Sequence, residues 1–148
     1  MNESRIYSDL KRDFRDAVPP SIREVVVDLI NNSLWLEICR TLYRAPINMH
    51  MTQSKLIEQM KHFIEENHID YLQLNENIER LKGLGYIHLE EKSMPDHFLT
   101  PKTVEAMKVI NAIEKKIVEP LVKELKNKGF RDSDIKKRVR QDIYLNLK

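Results

Sequence analysis

Glycine and cysteine are scarce in this chain of 148 residues. Glycine occurs three times and proline six times, whereas β-sandwiches and barrels need many tight turns of the kind these residues favour. The composition therefore argues against an all-β fold. The one cysteine, Cys39, cannot form a disulfide within the chain, which indicates an intracellular protein, and we predict a cytoplasmic location.

Long hydrophobic segments are also missing. No run approaches the roughly 18 apolar residues of a membrane span, and the N-terminal stretch MNESRIYSDLKRDF lacks the apolar core of a secretory signal. We therefore expect no membrane partner. The 41% hydrophobic content suffices for a packed core, while the 32% charged content exceeds the roughly 25% of average soluble proteins and predicts a highly charged surface.

The residue patterns of enzymes and metal sites are lacking as well. Gly83, Gly85 and Gly129 do not form a phosphate-binding loop. The histidines have no zinc-ligand spacing, and no second cysteine assists them. They are His50, His62, His68, His88 and His97. We therefore predict a protein that is not an enzyme and that has no metal and no cofactor.

The charge is unevenly distributed along the chain. Residues 70–100 carry 3 basic and 6 acidic residues, whereas residues 101–148 carry 13 basic and 7 acidic residues. A dense cationic cluster comprises Lys136, Lys137, Arg138 and Arg140. Such a cluster can neutralise phosphates and give affinity for nucleic acid without sequence preference. A solvated helix face is an equally good interpretation, because Asp132 and Asp134 are close in sequence.

The periodicity of apolar residues predicts helices at both ends of the chain. Residues 1–32 are predicted to form a helical extension, whose first helix carries Ile6, Leu10 and Phe14 and ends at two prolines. Residues 101–148 are predicted to form C-terminal helices, a long one kinked near Pro120 and a last one capped by Asp132, Ser133 or Asp134. A seam of apolar side chains on the long helix predicts that the chain forms dimers. The seam comprises Ile113, Ile117, Leu121 and Leu125.

Residues 33–100 form the predicted central domain. The order is a helix, a very short strand at 47–51, two helices capped by Thr52 and Asp70, and a hairpin with strands near 86–91 and 97–99. The third helix has Leu74, Ile78 and Leu81 at helical spacing. We expect these three to be buried and the polar side chains Gln73, Asn77 and Arg80 to be exposed.

This order resembles the winged helix-turn-helix of the MarR and PadR regulator families. The similarity is carried by Leu74, Ile78, Leu81 and the following Leu-Gly-Tyr-Ile, and by Leu-Thr-Pro-Lys at 99–102 before a long helix. The fold class expected is thus mainly α, a winged helix-turn-helix with a small β-hairpin wing and flanking helices. The resemblance implies that the third helix contacts the DNA major groove and that terminal helices form a homodimer. The sequence does not establish whether a small-molecule effector exists, and a site for one would be inferred from the resemblance alone.

The DNA-binding residues expected from this interpretation are side chains that pair with base edges or phosphates. They are Gln73, Asn75, Asn77, Arg80, Lys82, Lys92, Lys136, Lys137, Arg138 and Arg140. The wing departs from the family pattern, because Lys92 is accompanied by Glu90, Glu91 and Asp96. The leading hypothesis is a sequence-specific transcription regulator that binds double-stranded DNA as a homodimer.

Two alternatives remain at this level. The chain could be a winged-helix module for protein–protein interaction in a larger assembly, which the acidic middle segment favours. It could also be a plasmid or viral DNA segregation or replication protein. The sequence alone does not separate these from a regulator.

Overall fold

A computed structural model describes residues 18–141, and this part of the chain is mainly α-helical with one small antiparallel hairpin, as expected. The helices are α1 Pro20–Ile30, α2 Ser33–Arg44, α3 Gln53–Gln59, α4 Lys61–Glu66, α5 Tyr71–Gly83, α6 Pro101–Ile113, α7 Glu119–Asn127 and α8 Asp132–Val139. The strands are β1 Ile87–Glu90 and β2 Asp96–Leu99, and a π-helical turn spans Glu114–Val118. The predicted helix of Ile6, Leu10 and Phe14 lies outside the described residues.

The chain divides into two compact units. The central unit is Asn32–Met107, and the terminal unit combines the described residues 18–31 and 108–141. The division falls within α6. None of the helices in the described residues is both long and apolar enough to cross a membrane.

Short side chains start the three main helices of the central unit. The Asn32 side chain accepts a hydrogen bond from the Trp35 amide, Thr52 from the Lys55 amide at 3.2 Å, and Asp70 from the Gln73 amide at 2.7 Å. These bonds satisfy amides that have no partner inside a helix. The predicted caps at Thr52 and Asp70 are confirmed.

The core of the central unit is built on the buried face of α5. Leu74, Ile78 and Leu81 are fully buried, as predicted, and α5 packs against α2 and β1. Cys39 on α2 is also fully buried, and burial raises the pKa of its thiol to about 12. The thiol therefore stays protonated and behaves as a small apolar side chain.

The hairpin follows α5 directly. Gly85 adopts φ 75°, a left-handed conformation that suits glycine and reverses the chain after the helix. The strands pair in antiparallel register, with Ile87 opposite Leu99 and Leu89 opposite His97. The prediction of a short strand at 47–51 is wrong, because these residues form a loop. The last of them, Met51, is hydrogen-bonded to His97 of the hairpin.

The terminal unit contains the predicted break near Pro120. Proline cannot donate to the carbonyl four residues earlier, and its ring crowds that carbonyl. The chain accommodates this with the π-helical turn Glu114–Val118 immediately before α7.

The predicted cap of the last helix is wrong. Arg131 occupies the N-cap position without a side-chain hydrogen bond, and Asp132 and Asp134 lie inside the first turn. Carboxylates there favour the positive end of the helix dipole, so they stabilise α8 without capping it. Ile135 and Val139 form its buried face.

Candidate nucleic-acid interface

The outer surface of α5 is the part of the central unit on which a DNA-reading interpretation depends. A helix turns about 100° per residue, so the side chains opposite the buried stripe of Leu74, Ile78 and Leu81 follow a line from the first turn to the last. The exposed members of this surface are Leu72, Gln73, Glu76, Glu79 and Arg80. The expected exposure of Gln73 and Arg80 is confirmed.

Both asparagines of α5 form side-chain hydrogen bonds within the protein. The Asn77 side-chain oxygen accepts a 2.8 Å hydrogen bond from the Trp35 indole N–H, and its amide donates to the Gln73 carbonyl at 2.7 Å. The side-chain oxygen of Asn75 accepts a hydrogen bond from the side-chain amide of Gln53. Both side chains are half-buried at the edges of the packed face. The prediction that Asn77 is exposed is therefore wrong, and a bidentate contact of Asn75 or Asn77 to adenine would compete with these bonds for the side-chain oxygen.

We expect Asn77→Ala to lower the free energy of unfolding by about 1–2 kcal/mol, because the indole N–H of Trp35 loses its acceptor. Gln73→Ala should change it by less than about 0.5 kcal/mol, since Gln73 is exposed. Urea unfolding of both variants and of a double-mutant cycle with Trp35→Phe measures the coupling. An Asn77→Ala variant as stable as Gln73→Ala would show that this bond contributes nothing.

The lysines predicted to bind phosphate on this unit are already paired with acids. Lys82 contacts Glu79 at 2.8 Å, and only 19% of its side chain is exposed. Lys92 in the hairpin turn contacts Glu90 at 2.7 Å, and that hydrogen bond raises the pKa of Lys92. Residues 32–107 contain 8 basic and 11 acidic residues. Lys82 and Lys92 thus offer phosphate little free positive charge, and Arg80 is the exposed cation of α5.

A buried polar connection joins the loop before α3 to the hairpin. The Met51 amide donates to the Asp96 carboxylate at 2.7 Å, and the Met51 carbonyl accepts from both the backbone N–H and Nδ1 of His97. The second Asp96 oxygen lies 3.5 Å from His50. Burial lowers the pKa of His97, so the neutral ring that donates to Met51 is favoured. This connection fixes the hairpin against the loop, and sequence reasoning missed it.

The cationic cluster lies on α8 and just beyond it. Lys136, Lys137 and Arg140 are exposed and share one face, as their spacings of three and four require. Arg138 differs: it is half-buried, and its guanidinium carbon lies 5.4 Å from the centre of the Phe130 ring. The predicted four-residue cluster is therefore three exposed cations and one stacked arginine.

Sequence reasoning also missed the exposed apolar pair that opens α5. Tyr71 and Leu72 expose 61% and 69% of their surface. The sequence signal was present for Leu72 alone, which lies off the spacing set by Leu74, Ile78 and Leu81, whereas Tyr71, three residues before Leu74, lies on it. Apolar side chains in the first turn of an amphipathic helix are nonetheless easily assigned to the core.

Comparisons of the chain with family models, with curated proteins and with solved structures found no match.

Proposed function

We propose that this chain is a DNA-binding protein with a winged helix-turn-helix, in which α5 enters the major groove and the β1–β2 hairpin is the wing. The activity proposed is that of a sequence-specific transcription regulator. The second helix of a helix-turn-helix presents its N-terminal residues to base edges in the groove. In this chain that helix is α5, preceded by the short helices α3 and α4.

The observation that carries the proposal is the way α5 is presented. Three apolar side chains anchor one face of α5 on the core, and its opposite face is exposed over its length. The hairpin follows immediately and is joined to the loop before α3 by Asp96, Met51 and His97. A helix that is anchored on one face, exposed on the other and followed by a short hairpin supports the proposed groove recognition.

The contacts proposed for α5 are narrower than the sequence alone predicted. Gln73 and Arg80 remain, because both are exposed polar side chains that can reach base edges or phosphates. Four predicted side chains are left out of the proposed DNA contacts, because each already has a partner within the protein. They are Asn75, Asn77, Lys82 and Lys92. Non-specific affinity is assigned to Lys136, Lys137 and Arg140, because they are the exposed members of the basic cluster.

We propose a homodimer as the active form. The segment before and within α7 leaves a row of apolar side chains half-exposed, whereas Ile113 and Leu125 of the predicted seam are buried. The row comprises Ile117, Val118, Leu121 and Val122. A second copy would cover such a row, and paired reading helices would then contact two half-sites.

Two observations favour a second candidate, a winged-helix module that binds protein. Glu76 is exposed on α5, and the central unit has an excess of acidic residues. Both features oppose approach to phosphate. This candidate predicts no affinity for duplex DNA even at low salt.

A salt titration of the full chain with a fluorescent random-sequence duplex tests the proposal. We expect binding at about 50 mM salt that weakens steeply by 200 mM, because counterion release gives a slope of roughly −0.9 for each neutralised phosphate. The mass of the complex should correspond to two chains per duplex. Absence of binding at low salt would reject the DNA-binding function in favour of the protein-binding candidate.

A further inference from the structure

Leu72 is the exposed apolar side chain that the core of α5 does not explain. It lies opposite the buried stripe, in the first turn of the helix, and 69% of its surface is exposed. Gln73 follows it and is also exposed, since only its backbone amide is used by the Asp70 cap. The first turn therefore presents an apolar and an amide side chain at consecutive positions, about 100° apart around the helix axis, beside the exposed Tyr71.

The surroundings of Leu72 do not form a protein-docking face. An amphipathic helix that binds a protein groove repeats its apolar anchors at positions i+3, i+4 and i+7. Counted from Leu72, these positions hold Asn75, Glu76 and Glu79. The apolar surface thus stops after one turn, at the end of the helix that a helix-turn-helix directs toward the bases.

We propose that Leu72 and Gln73 read an A·T base pair in the major groove, with Leu72 against the thymine methyl and Gln73 on the adenine edge. The thymine methyl is the one apolar group that the four bases present in this groove. Glutamine donates to N7 and accepts from the N6 amino group of adenine. Neighbouring side chains of complementary chemistry can therefore recognise both halves of a single base pair. The inference builds on the proposed function, because it requires α5 to enter the groove.

The internal hydrogen bonds of the two asparagines of α5 favour the assignment. Asn75 and Asn77 are held by Gln53 and Trp35, so neither competes for adenine. Glu76, one turn after Leu72, is exposed and repels phosphate, but its carboxylate can accept a hydrogen bond from a cytosine amino group. The exposed face of α5 therefore suits base edges better than backbone.

The experiment selects duplexes bound by the full chain from a randomised library and replaces each thymine in turn by uracil, which removes only the methyl group. We expect one position per half-site where the change weakens binding about four-fold, the value for one buried methyl-sized group. In Leu72→Ala the same thymine-to-uracil change should have no effect. Replacing the paired adenine by 7-deaza-adenine should weaken binding of the parent protein and not that of Gln73→Ala.

Leu84→Ala is the matched control. Leu84 is an exposed leucine just after the other end of α5, with 46% of its surface accessible. This variant should keep the full preference for thymine over uracil. All three substituted side chains are exposed, so circular dichroism melts should match the parent.

Failure of DNA binding and failure of thymine recognition give different results in these experiments. A chain that selects no duplex and does not bind at low salt fails the proposed function. A chain that binds DNA but does not distinguish thymine from uracil at any position overturns the inference alone. A Leu72→Ala variant that still prefers thymine overturns it equally.

Discussion

Replacing Ile78 with alanine should lower the free energy of unfolding by about 2–5 kcal/mol, the range for removing a fully buried isoleucine side chain. Ile78 has no exposed surface and lies between Leu74 and Leu81 on the face of α5 that packs on α2 and β1. The cavity would open where the candidate reading helix is anchored. Because domains of this size have about 5–15 kcal/mol of stability, the loss would be a large fraction of the total.

Arg80→Ala is the control for this prediction. Arg80 is exposed two residues later on the same helix, and alanine is a better helix former than arginine, so we expect a change within about 0.5 kcal/mol. Urea titrations of both variants, compared at equal slope, give the two free energies. If Arg80→Ala is the more destabilised variant, the assignment of the α5 faces is wrong.

The faces of α5 were predictable because they depend on local rules. Three apolar residues at spacings of four and three define a helical stripe, and an aspartate three residues before the amide that it caps defines the start of the helix. The same reasoning located Thr52 as a cap and the hairpin strands to within a residue or two. Each of these signals lies within one helical turn or one hairpin.

The fate of the polar side chains was not predictable from local patterns. Asn77 lies on α5 in a position that a helical wheel assigns to the edge of the exposed face, but its partner is Trp35, 42 residues earlier. Asp96 looks like a turn residue in sequence, yet its carboxylate binds the Met51 amide 45 residues away. Long-range partners decide whether an amide or carboxylate is free, and spacing along one helix carries no information about them.

This distinction changes the electrostatic picture of the candidate interface. In the sequence, Lys82 and Lys92 counted as positive charges toward DNA, whereas in the fold each neutralises a neighbouring glutamate. The acidic excess of the central unit is therefore not relieved by its own lysines. A DNA-binding function then requires cations from elsewhere in the chain, and the exposed group on α8 is the densest candidate.

Neutralising Lys136, Lys137 and Arg140 to glutamine should therefore weaken DNA binding strongly and to the same extent for every sequence. Each phosphate contact contributes a salt slope of about 0.9, which corresponds to roughly eight-fold in affinity at 0.1 M salt. The loss of three contacts would reduce the affinity by roughly several hundred-fold. It would also make the slope of log affinity against log salt concentration shallower by about 2.7. Arg138 is left in place because its guanidinium stacks on Phe130 and its loss would disturb packing around α8.

The matched control removes the same charge from other exposed lysines of the terminal unit, Lys115, Lys116 and Lys123. If overall charge were responsible, both triple variants would lose affinity equally, since both fall by three positive charges. If contacts by the α8 cluster are responsible, the control should keep most of its affinity and its slope. A cluster variant that binds random duplex DNA with unchanged affinity and slope would show that these residues form only a solvated face. The acidic central unit would then have no electrostatic support for approaching phosphate, and the protein-binding candidate would gain accordingly.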